Sequence, residues 1–261
     1  DGTLWSWGYN YDGNLGQNIG GGANTSRSSP VQIGSGTDWT GTKDTLRVNR
    51  RTSFAIKTDG TLWAWGYNES GRLGQNNSTP GYSSPVQIPG TTWAKVQGGE
   101  DKCAAIKTDG TLWMWGYNGY GELGLNHSLR RSSPTQVPGT TWRQVNSSQH
   151  TVAVKTDNTL WAWGKNEYGE LGQNQASAQL TAVSSPIQIP GTTWNKVDTG
   201  NDHIVATKTD GTLWTWGFNE NGELGNNNRG VHRSSPTQIP GTSWTGDFGV
   251  GDDSTYVIKV V

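Results

Sequence analysis

Cysteine is almost absent from the 261 residues, with Cys103 as the only one. A disulfide within the chain needs two cysteines, and a cysteine-built zinc site needs several. Both kinds of cross-link are therefore excluded, and stability must come from packing. The compartment stays open, because a secreted protein need not carry disulfides.

An excess of either charge is also lacking, since 20 Lys and Arg stand against 21 Asp and Glu. Binding to nucleic acid or to an anionic membrane through an overall field needs a basic excess, so both partners are disfavoured. No apolar run approaches the roughly 20 residues that span a bilayer, so membrane insertion is not expected. The sequence predicts a soluble protein and leaves its location, including an extracellular or virion-associated one, undecided.

Phe and Met are scarce as well, with three and one, whereas Gly numbers 38 and Trp 15. This composition is unusual for a helical protein and is typical of short strands joined by tight turns. The stretch Asp59–Asn68 (DGTLWAWGYN) has close copies at intervals of 48 to 58 residues. The copies begin at Asp1, Asp59, Asp109, Asp157 and Asp210. Such a period predicts a propeller or a solenoid.

Each period contains four segments with the pattern of strands. In the third unit they are Trp93–Val96, Cys103–Lys107, Thr111–Trp115 and Ser133–Val137. The pair Asp109-Gly110 favours a tight hairpin between the second and third. Four antiparallel strands per repeat are typical of a propeller blade.

All 15 tryptophans fall in three columns, two on the third strand and one on the first. The columns are Trp5/63/113/161/214, Trp7/65/115/163/216 and Trp39/93/142/194/244. The two on the third strand are two residues apart, so both point to one face of the sheet. We expect most of the stability to reside in these columns.

The predicted fold is all-β, a single domain over 1–261 forming a five-bladed β-propeller. The chain opens on a third strand and closes on a second, so N- and C-terminal strands are expected to share one blade and close the ring. The predicted blades are 243–261 with 1–35, 36–90, 91–139, 140–191 and 192–241.

The motif Trp-Gly-Tyr-Asn-x-x-Gly-x-Leu-Gly, at Trp65–Gly74 and Trp115–Gly124, is followed by Ser-Ser-Pro-Val-Gln-Ile-Pro-Gly. In these motifs the whole chain resembles the regulator of chromosome condensation repeat family, and its bacterial and phage-like members most. The resemblance implies a β-propeller. Family members include guanine-nucleotide exchange factors, chromatin binders, β-lactamase inhibitors and modules of surface or phage-like proteins. The loop histidine of the family matches His150 and His203.

No catalytic or metal-binding pattern is evident, so we predict a non-enzyme without cofactors. The four histidines lack the spacing of metal ligands. Glu122, Glu170 and Glu223 recur in the Gly-x-Leu-Gly turn, too far apart for a glycosidase pair. We expect them to be solvated or paired with Arg, and the Asn after each Trp-Gly to cap its turn.

Recognition is expected where the repeats differ, since loops on a rigid scaffold commonly carry it. The turn between the first two strands is acidic in three units and basic in one. The predicted partner-binding residues are Arg47, Arg50, Arg51, Glu100, Asp101, His150, Asp202, His203, Asp252 and Asp253. Alternative ligand-binding residues are Tyr11, Tyr120 and Tyr168, which precede the Gly-x-Leu-Gly turn and could stack on sugars or contact a protein.

These features predict a recognition scaffold that binds a protein partner through loops on one face. The first alternative is a lectin-like, carbohydrate-binding adhesin of a phage or cell-surface assembly, with a glycan bound at several repeats. The second is a guanine-nucleotide exchange factor, which the near-neutral charge and the five-unit count disfavour.

Overall fold

The computed structural model describes residues 1–49, 51–99, 101–175 and 179–259. These residues form two compact units. The first consists of Asp1–Asn118 with Leu129–Val137, and the second of Gly119–Ser128 with Pro138–Val261. Both are built from antiparallel strands, which confirms the predicted all-β class.

The first unit contains ten strands and two 3-10 turns, the latter at Ala23–Thr25 and Glu69–Gly71. The strands are β1 (Trp5–Gly8), β2 (Arg27–Gln32), β3 (Leu46–Val48), β4 (Thr52–Ile56), β5 (Leu62–Gly66), β6 (Tyr82–Gln87), β7 (Trp93–Gly98), β8 (Lys102–Lys107), β9 (Leu112–Gly116) and β10 (Arg131–Gln136). They form one two-stranded sheet, β1-β2, and two four-stranded sheets, β3 to β6 and β7 to β10. Strands adjacent in sequence are adjacent in each sheet.

The second unit repeats this pattern. Its strands are β11 (Trp142–Ser147), β12 (His150–Lys155), β13 (Leu160–Lys165), β14 (Ala182–Ile189), β15 (Trp194–Thr199), β16 (His203–Lys208), β17 (Leu213–Gly217), β18 (Arg233–Ile239), β19 (Trp244–Val250) and β20 (Thr255–Lys259). Strands β11 to β14 and β15 to β18 form four-stranded sheets, and β19-β20 form a two-stranded one.

The Asp-Gly-Thr turn, which is Asp-Asn-Thr at 157–159, begins each third strand through a short chain of hydrogen bonds. In β9, Asp109 Oδ1 accepts from the backbone N–H and hydroxyl of Thr111 at 2.9 and 2.7 Å. The Thr111 hydroxyl accepts in turn from Trp113 Nε1 at 2.9 Å. These bonds from Thr111 lower the pKa of the Asp109 carboxyl. The turn therefore also fixes the orientation of the first tryptophan of the pair.

The three tryptophans of a repeat pack edge to face, as shown by the sheet β7 to β10. The Trp93 ring lies 6.2 Å from that of Trp113 and 6.1 Å from that of Trp115. Lys107 Nζ lies over both Trp93 and Trp113, at 4.7 and 4.5 Å from their centroids. Because both tryptophans of the pair contact Trp93, the prediction that they share one face is confirmed.

In the four complete sheets, the second tryptophan of the pair also bonds to the Gly-x-Leu-Gly turn of the preceding repeat. Trp115 Nε1 donates to Arg72 O at 2.8 Å, and Trp163 Nε1 donates to Glu122 O at the same distance. Each turn is itself closed by its Asn, since Asn166 Oδ1 accepts from Leu171 N–H at 2.9 Å. This confirms the interpretation of the Asn as a turn cap.

The predicted closure of five complete blades is wrong for the described residues. Four sheets have four strands, whereas β1-β2 and β19-β20 are separate two-stranded sheets. The terminal pairs accordingly expose apolar side chains: Trp7 is 60% exposed, whereas its counterpart Trp163 is fully buried. Tight turns bring neighbouring strands together at small entropic cost, but a shared blade needs pairing between the two ends of the chain.

The prediction that the turn glutamates are solvated is also wrong. Glu122, Glu170 and Glu223 are at most 5% exposed. Each carboxylate accepts the backbone N–H two residues earlier, as Glu170 does from Tyr168 at 2.8 Å. Each side chain closes its turn because the backbone N–H group there needs a hydrogen-bond acceptor.

Burial gives Glu170 a titration that stability measurements can detect. Dehydration raises the pKa of its carboxyl to about 7, whereas in an unfolded chain it is roughly 4.3. Between these values the unfolded state loses its proton first, so stability falls as pH rises. We expect the free energy of unfolding to decrease by about 2–3 kcal/mol from about pH 5 to pH 8 relative to Glu170→Gln. Urea denaturation at both pH values measures this.

The matched control is Glu223→Gln, at the same turn position. Burial opposes the charge of Glu223, but hydrogen bonds from backbone N–H groups and from Asn221 hold the pKa of its carboxyl below the ordinary value. The stabilisation that the ionised Glu223 carboxylate contributes is therefore complete above the pKa of this group in the unfolded chain. It is lost only as the pH falls below that value. The difference between wild type and Glu223→Gln should stay flat over this pH interval. A flat difference for Glu170→Gln as well contradicts the assigned titration.

Candidate functional site

A cavity of about 780 Å³ lies in the first unit. It contains three residues predicted from the sequence, Tyr11, Arg51 and Asp101. Its lining consists of Tyr9, Tyr11, Asp12, Arg51, Tyr67, Glu69, Ser70, Arg72, Asp101, Tyr117 and Arg130. Four tyrosines, three arginines and three carboxylates therefore meet in one place. We call it the tyrosine–arginine cavity.

Loops at one end of the strands supply this lining. Tyr9 follows β1, Tyr67 follows β5 and Tyr117 follows β9, each directly after the Trp-Gly that ends a third strand. Arg51 and Asp101 immediately precede the second strands β4 and β8. The antiparallel pairing places the end of a third strand beside the start of the second, as in the register Thr52 to Gly66.

One side of the cavity is organised by Arg51. Its Nε and Nη2 atoms each donate to a carboxylate oxygen of Asp12 at 2.7 Å, a two-pronged ion pair. Its guanidinium carbon lies 3.6 Å from the centroid of the Tyr67 ring. The hydrogen bond to Asp12 raises the pKa of Arg51 further. Planar guanidinium suits both contacts, which Lys would not reproduce.

A second, deeper pair lies beside it. Arg72 is 5% exposed, and its Nη2 lies 2.5 Å from Asp101 Oδ1. Its guanidinium carbon is 5.1 Å from the Tyr67 centroid, and its Nε donates to Glu69 O at 3.1 Å. The Tyr67 hydroxyl donates to the Glu69 carboxylate, and this bond raises the pKa of Tyr67. Two arginines and three carboxylates are thus held by one another or by Tyr67.

The rest of the cavity is open to solvent. Tyr9 and Tyr11 are 61% and 54% exposed, and their rings lie nearly parallel, 9° apart in plane with centroids 6.1 Å apart. Arg130 is exposed on the loop before β10. Within the described part of the chain, neither Arg130 nor the hydroxyls of these two tyrosines has a hydrogen-bond partner. Arg130 and the two tyrosine hydroxyls are therefore available to form hydrogen bonds with a ligand.

The other predicted site residues are not in this cavity. Arg47 is half-buried in β3, and Arg50 and Glu100 lie outside the described residues. In the second unit, Asp202 pairs with Lys165 at 3.2 Å. Asp252 and Asp253 are exposed before β20.

The placement of His150 and His203 in the binding loops is wrong. Both are fully buried as the first residues of β12 and β16. His203 Nε2 lies 3.0 Å from Thr255 Oγ1, and burial lowers the pKa of the ring. His203 therefore lies inside the sheet, where burial disfavours the charged form of its ring.

The three alternative tyrosines do not form equivalent sites. Tyr11 lines the cavity and Tyr120 is 43% exposed, whereas Tyr168 packs at 4.8 Å against both Phe218 and His232. A sugar site repeated in every unit would need equal surroundings, which these positions lack.

Sequence reasoning missed Tyr9, Tyr67, Tyr117 and Arg72, and Arg130 was evident only as part of a variable loop. The signal for three of them was present, because Tyr follows Trp-Gly in the first three repeats but is Lys165 and Phe218 in the others.

Among the described residues, no group of three His, Cys, Asp or Glu side chains is placed to hold a metal ion. No helix among them is long and apolar enough to cross a membrane.

Comparison with known proteins gives a consistent picture of the fold. The profile of the RCC1-like domain matches residues 1–257. The structure of human WBSCR16 is similar with a TM-score of 0.81 and 21% identity, over 98% of this chain and 67% of that one. Prp20p from Saccharomyces cerevisiae, studied with its binding to Gsp1p and histones, has a TM-score of 0.74 and 19% identity over 100% of this chain and 65% of its own.

Yeast RCC1 (Prp20) bound to Kap60 has a TM-score of 0.76 and 20% identity, over 100% of this chain and 63% of that one. The chain thus spans about two thirds of the length of these structures. At such identities the likeness concerns the fold.

Proposed function

The chain belongs to the RCC1-like domain family, and we propose that it is a non-catalytic recognition protein that binds a protein partner through the tyrosine–arginine cavity. The observation that carries the proposal is the contrast within the cavity. Its ion-paired side, around Arg51 and Arg72, is fixed, whereas Tyr9, Tyr11 and Arg130 are exposed and lack partners among the described residues. A preorganised support beneath exposed aromatic side chains is what a recognition site requires.

A protein is the first choice of partner for two reasons. Tyrosine and arginine are enriched where binding energy concentrates in protein interfaces. The relative Prp20p has been studied for its binding to other proteins. A catalytic role is disfavoured because the carboxylates of Asp12 and Asp101 are engaged by guanidinium groups.

There are two alternatives, one supported by the same surface and one by the family alone. A lectin-like adhesin of a phage or cell-surface assembly is supported by the exposed faces of Tyr9 and Tyr11, on which a sugar ring could stack. The unequal surroundings of Tyr11, Tyr120 and Tyr168 favour one site over a repeated one. Guanine-nucleotide exchange is the third function, motivated by the family alone.

A photocrosslinking experiment tests the proposal. Benzoylphenylalanine is placed at Tyr11 in one variant and at Tyr120 in another, since both side chains are exposed and only Tyr11 lines the cavity. After irradiation in a lysate of the source cells, we expect a discrete protein adduct at position 11 and none at 120. Equal adducts at both positions, or none at either, contradict the proposal.

Two further assays separate the alternatives. Binding on a glycan array without a protein adduct at position 11 would establish the lectin. Faster release of labelled GDP from a small GTPase in the presence of the chain would establish an exchange factor and overturn the non-catalytic assignment.

A further inference from the structure

We propose that the tyrosine–arginine cavity binds an acidic peptide segment, with a carboxylate on Arg130 and an adjacent aromatic side chain against Tyr9 and Tyr11. The inference rests on the proposed function and specifies the chemistry of its partner. It is drawn from the groups that the cavity leaves unsatisfied.

The cavity lining carries three cations and three carboxylates, and the way in which they are paired supports an anionic ligand. Of its three cations, Arg51 is paired with Asp12 and Arg72 with Asp101. Its third carboxylate, Glu69, accepts from the Tyr67 hydroxyl. Within the described residues, Arg130 is the one charged group of the lining that has neither an ion pair nor a hydrogen bond. A ligand carboxylate can bond to both prongs of that guanidinium.

A basic ligand fits the same surface less well. A Lys or Arg side chain would have to compete with Arg51, Arg72 or Tyr67 for carboxylates that already hold donors. It would also approach the unpaired cation of Arg130. Because like charges within a site cost free energy, this repulsion selects against basic segments.

The aromatic part of the ligand is specified by Tyr9 and Tyr11. Their rings are exposed and nearly parallel, so they present flat surface that an apolar or aromatic side chain can cover. Aromatic pairs contribute binding energy beyond that of the area that they bury. Their free hydroxyls add donors around the carboxylate, which again favours an acceptor-rich ligand.

The position of Arg130 in the sequence also supports its role in binding the ligand. It lies in the loop 127–131, one of the segments in which the repeats differ most. Residues of the shared motif are explained by the fold, but a lone exposed cation in a variable loop is not. Loops of this kind set specificity on a rigid scaffold.

Fluorescence anisotropy with labelled peptides tests the proposal. The probes are a Glu-Trp-Glu peptide, its Lys-Trp-Lys counterpart and a Glu-Ala-Glu peptide. We expect wild type to bind Glu-Trp-Glu at least tenfold more tightly than either of the others. Arg130→Glu should reverse the preference between the acidic and the basic tryptophan peptides. This exposed substitution leaves the core untouched.

Arg229→Glu is the matched control, because it makes the same charge change on an exposed loop outside the cavity lining. It should leave both affinities as in wild type. Equal reversal by Arg229→Glu would reduce the effect to net charge and overturn the proposal, as would a wild type that prefers the basic peptide or binds none of the three. Displacement of bound Glu-Trp-Glu by a neutral oligosaccharide at lower concentration than by unlabelled peptide would assign the site to sugar.

The crosslinking experiment distinguishes the two levels of failure. If the peptides do not bind but a partner is captured at position 11 and not at 120, the acidic-segment inference fails and the recognition function stands. If position 11 captures nothing as well, both fail.

Discussion

Replacing Trp163 with Ala is expected to lower the free energy of unfolding by about 3–5 kcal/mol, the range for deleting a large buried aromatic side chain. Trp163 is fully buried, its ring lies 5.9 Å from that of Trp142, and its Nε1 donates to Glu122 O at 2.8 Å. The substitution opens a cavity and removes one of the two hydrogen bonds that this carbonyl accepts, the other being donated by the Thr151 hydroxyl. Urea denaturation at fixed pH measures the change.

Trp7→Ala is the matched control for this substitution. Trp7 occupies the same column of the repeat but is 60% exposed in β1. Its removal should cost about 1 kcal/mol or less, because little area returns to water. Similar losses for the two variants would show that the difference in burial between the terminal strand pair and the complete sheets is not present in solution.

Replacing Gly169 with Ala is expected to destabilise the protein by about 3 kcal/mol or more, through strain and overpacking together. Gly169 has φ +90°, which disfavours a side chain. A Cβ there would also lie 2.4 Å from Ser234 Cα, so the backbone of β18 would have to move. Thermal and urea unfolding measure the loss.

Gly222→Ala separates these two causes. Gly222 holds the same position in the motif with φ +99°, but a Cβ there would meet no atom within 4 Å. Only the conformational strain remains, at about 1–2 kcal/mol. If Gly222→Ala is as damaging as Gly169→Ala, the turn is required for its own conformation and its packing on the following sheet contributes little.

The strands and turns of the fold were predictable because their sequence pattern recurs in each repeat. The Asp-Gly pair and the spacing of Trp113 and Trp115 locate the hairpin and its buried face from local rules. Asn166 was recognisable as a turn cap for the same reason. Features set by neighbours within a few residues are repeated along the sequence and can be read from it.

The interior role of polar residues was not predictable. Glu170 and His203 have the residue types of a surface loop, yet the packing of sheets around them removes them from water. The sequence records no such environment, since burial depends on segments about 50 residues away. The unpaired terminal sheets were missed for a related reason, because closure requires contacts that no local pattern encodes.

The residues of the cavity also divide into those that the local sequence predicts and those that it does not. Arg51 and Asp101 were selected because they lie in loops that vary, and the structure places both in the lining. Their partners Asp12 and Arg72 lie 39 and 29 positions away along the chain, so no spacing rule could join them. Tyr9 belongs to the repeated Trp-Gly-Tyr-Asn motif, and a residue of the scaffold can also face a binding site.

The central claim is that recognition takes place at the tyrosine–arginine cavity, and a calorimetric titration tests it most directly. The partner captured at position 11 is titrated into wild type, the double variant Tyr9→Ala/Tyr11→Ala and Tyr120→Ala. The account predicts one partner per chain and an affinity at least tenfold weaker for the double variant, equivalent to about 1.4 kcal/mol, with Tyr120→Ala unchanged. Wild-type affinity in the double variant would contradict it.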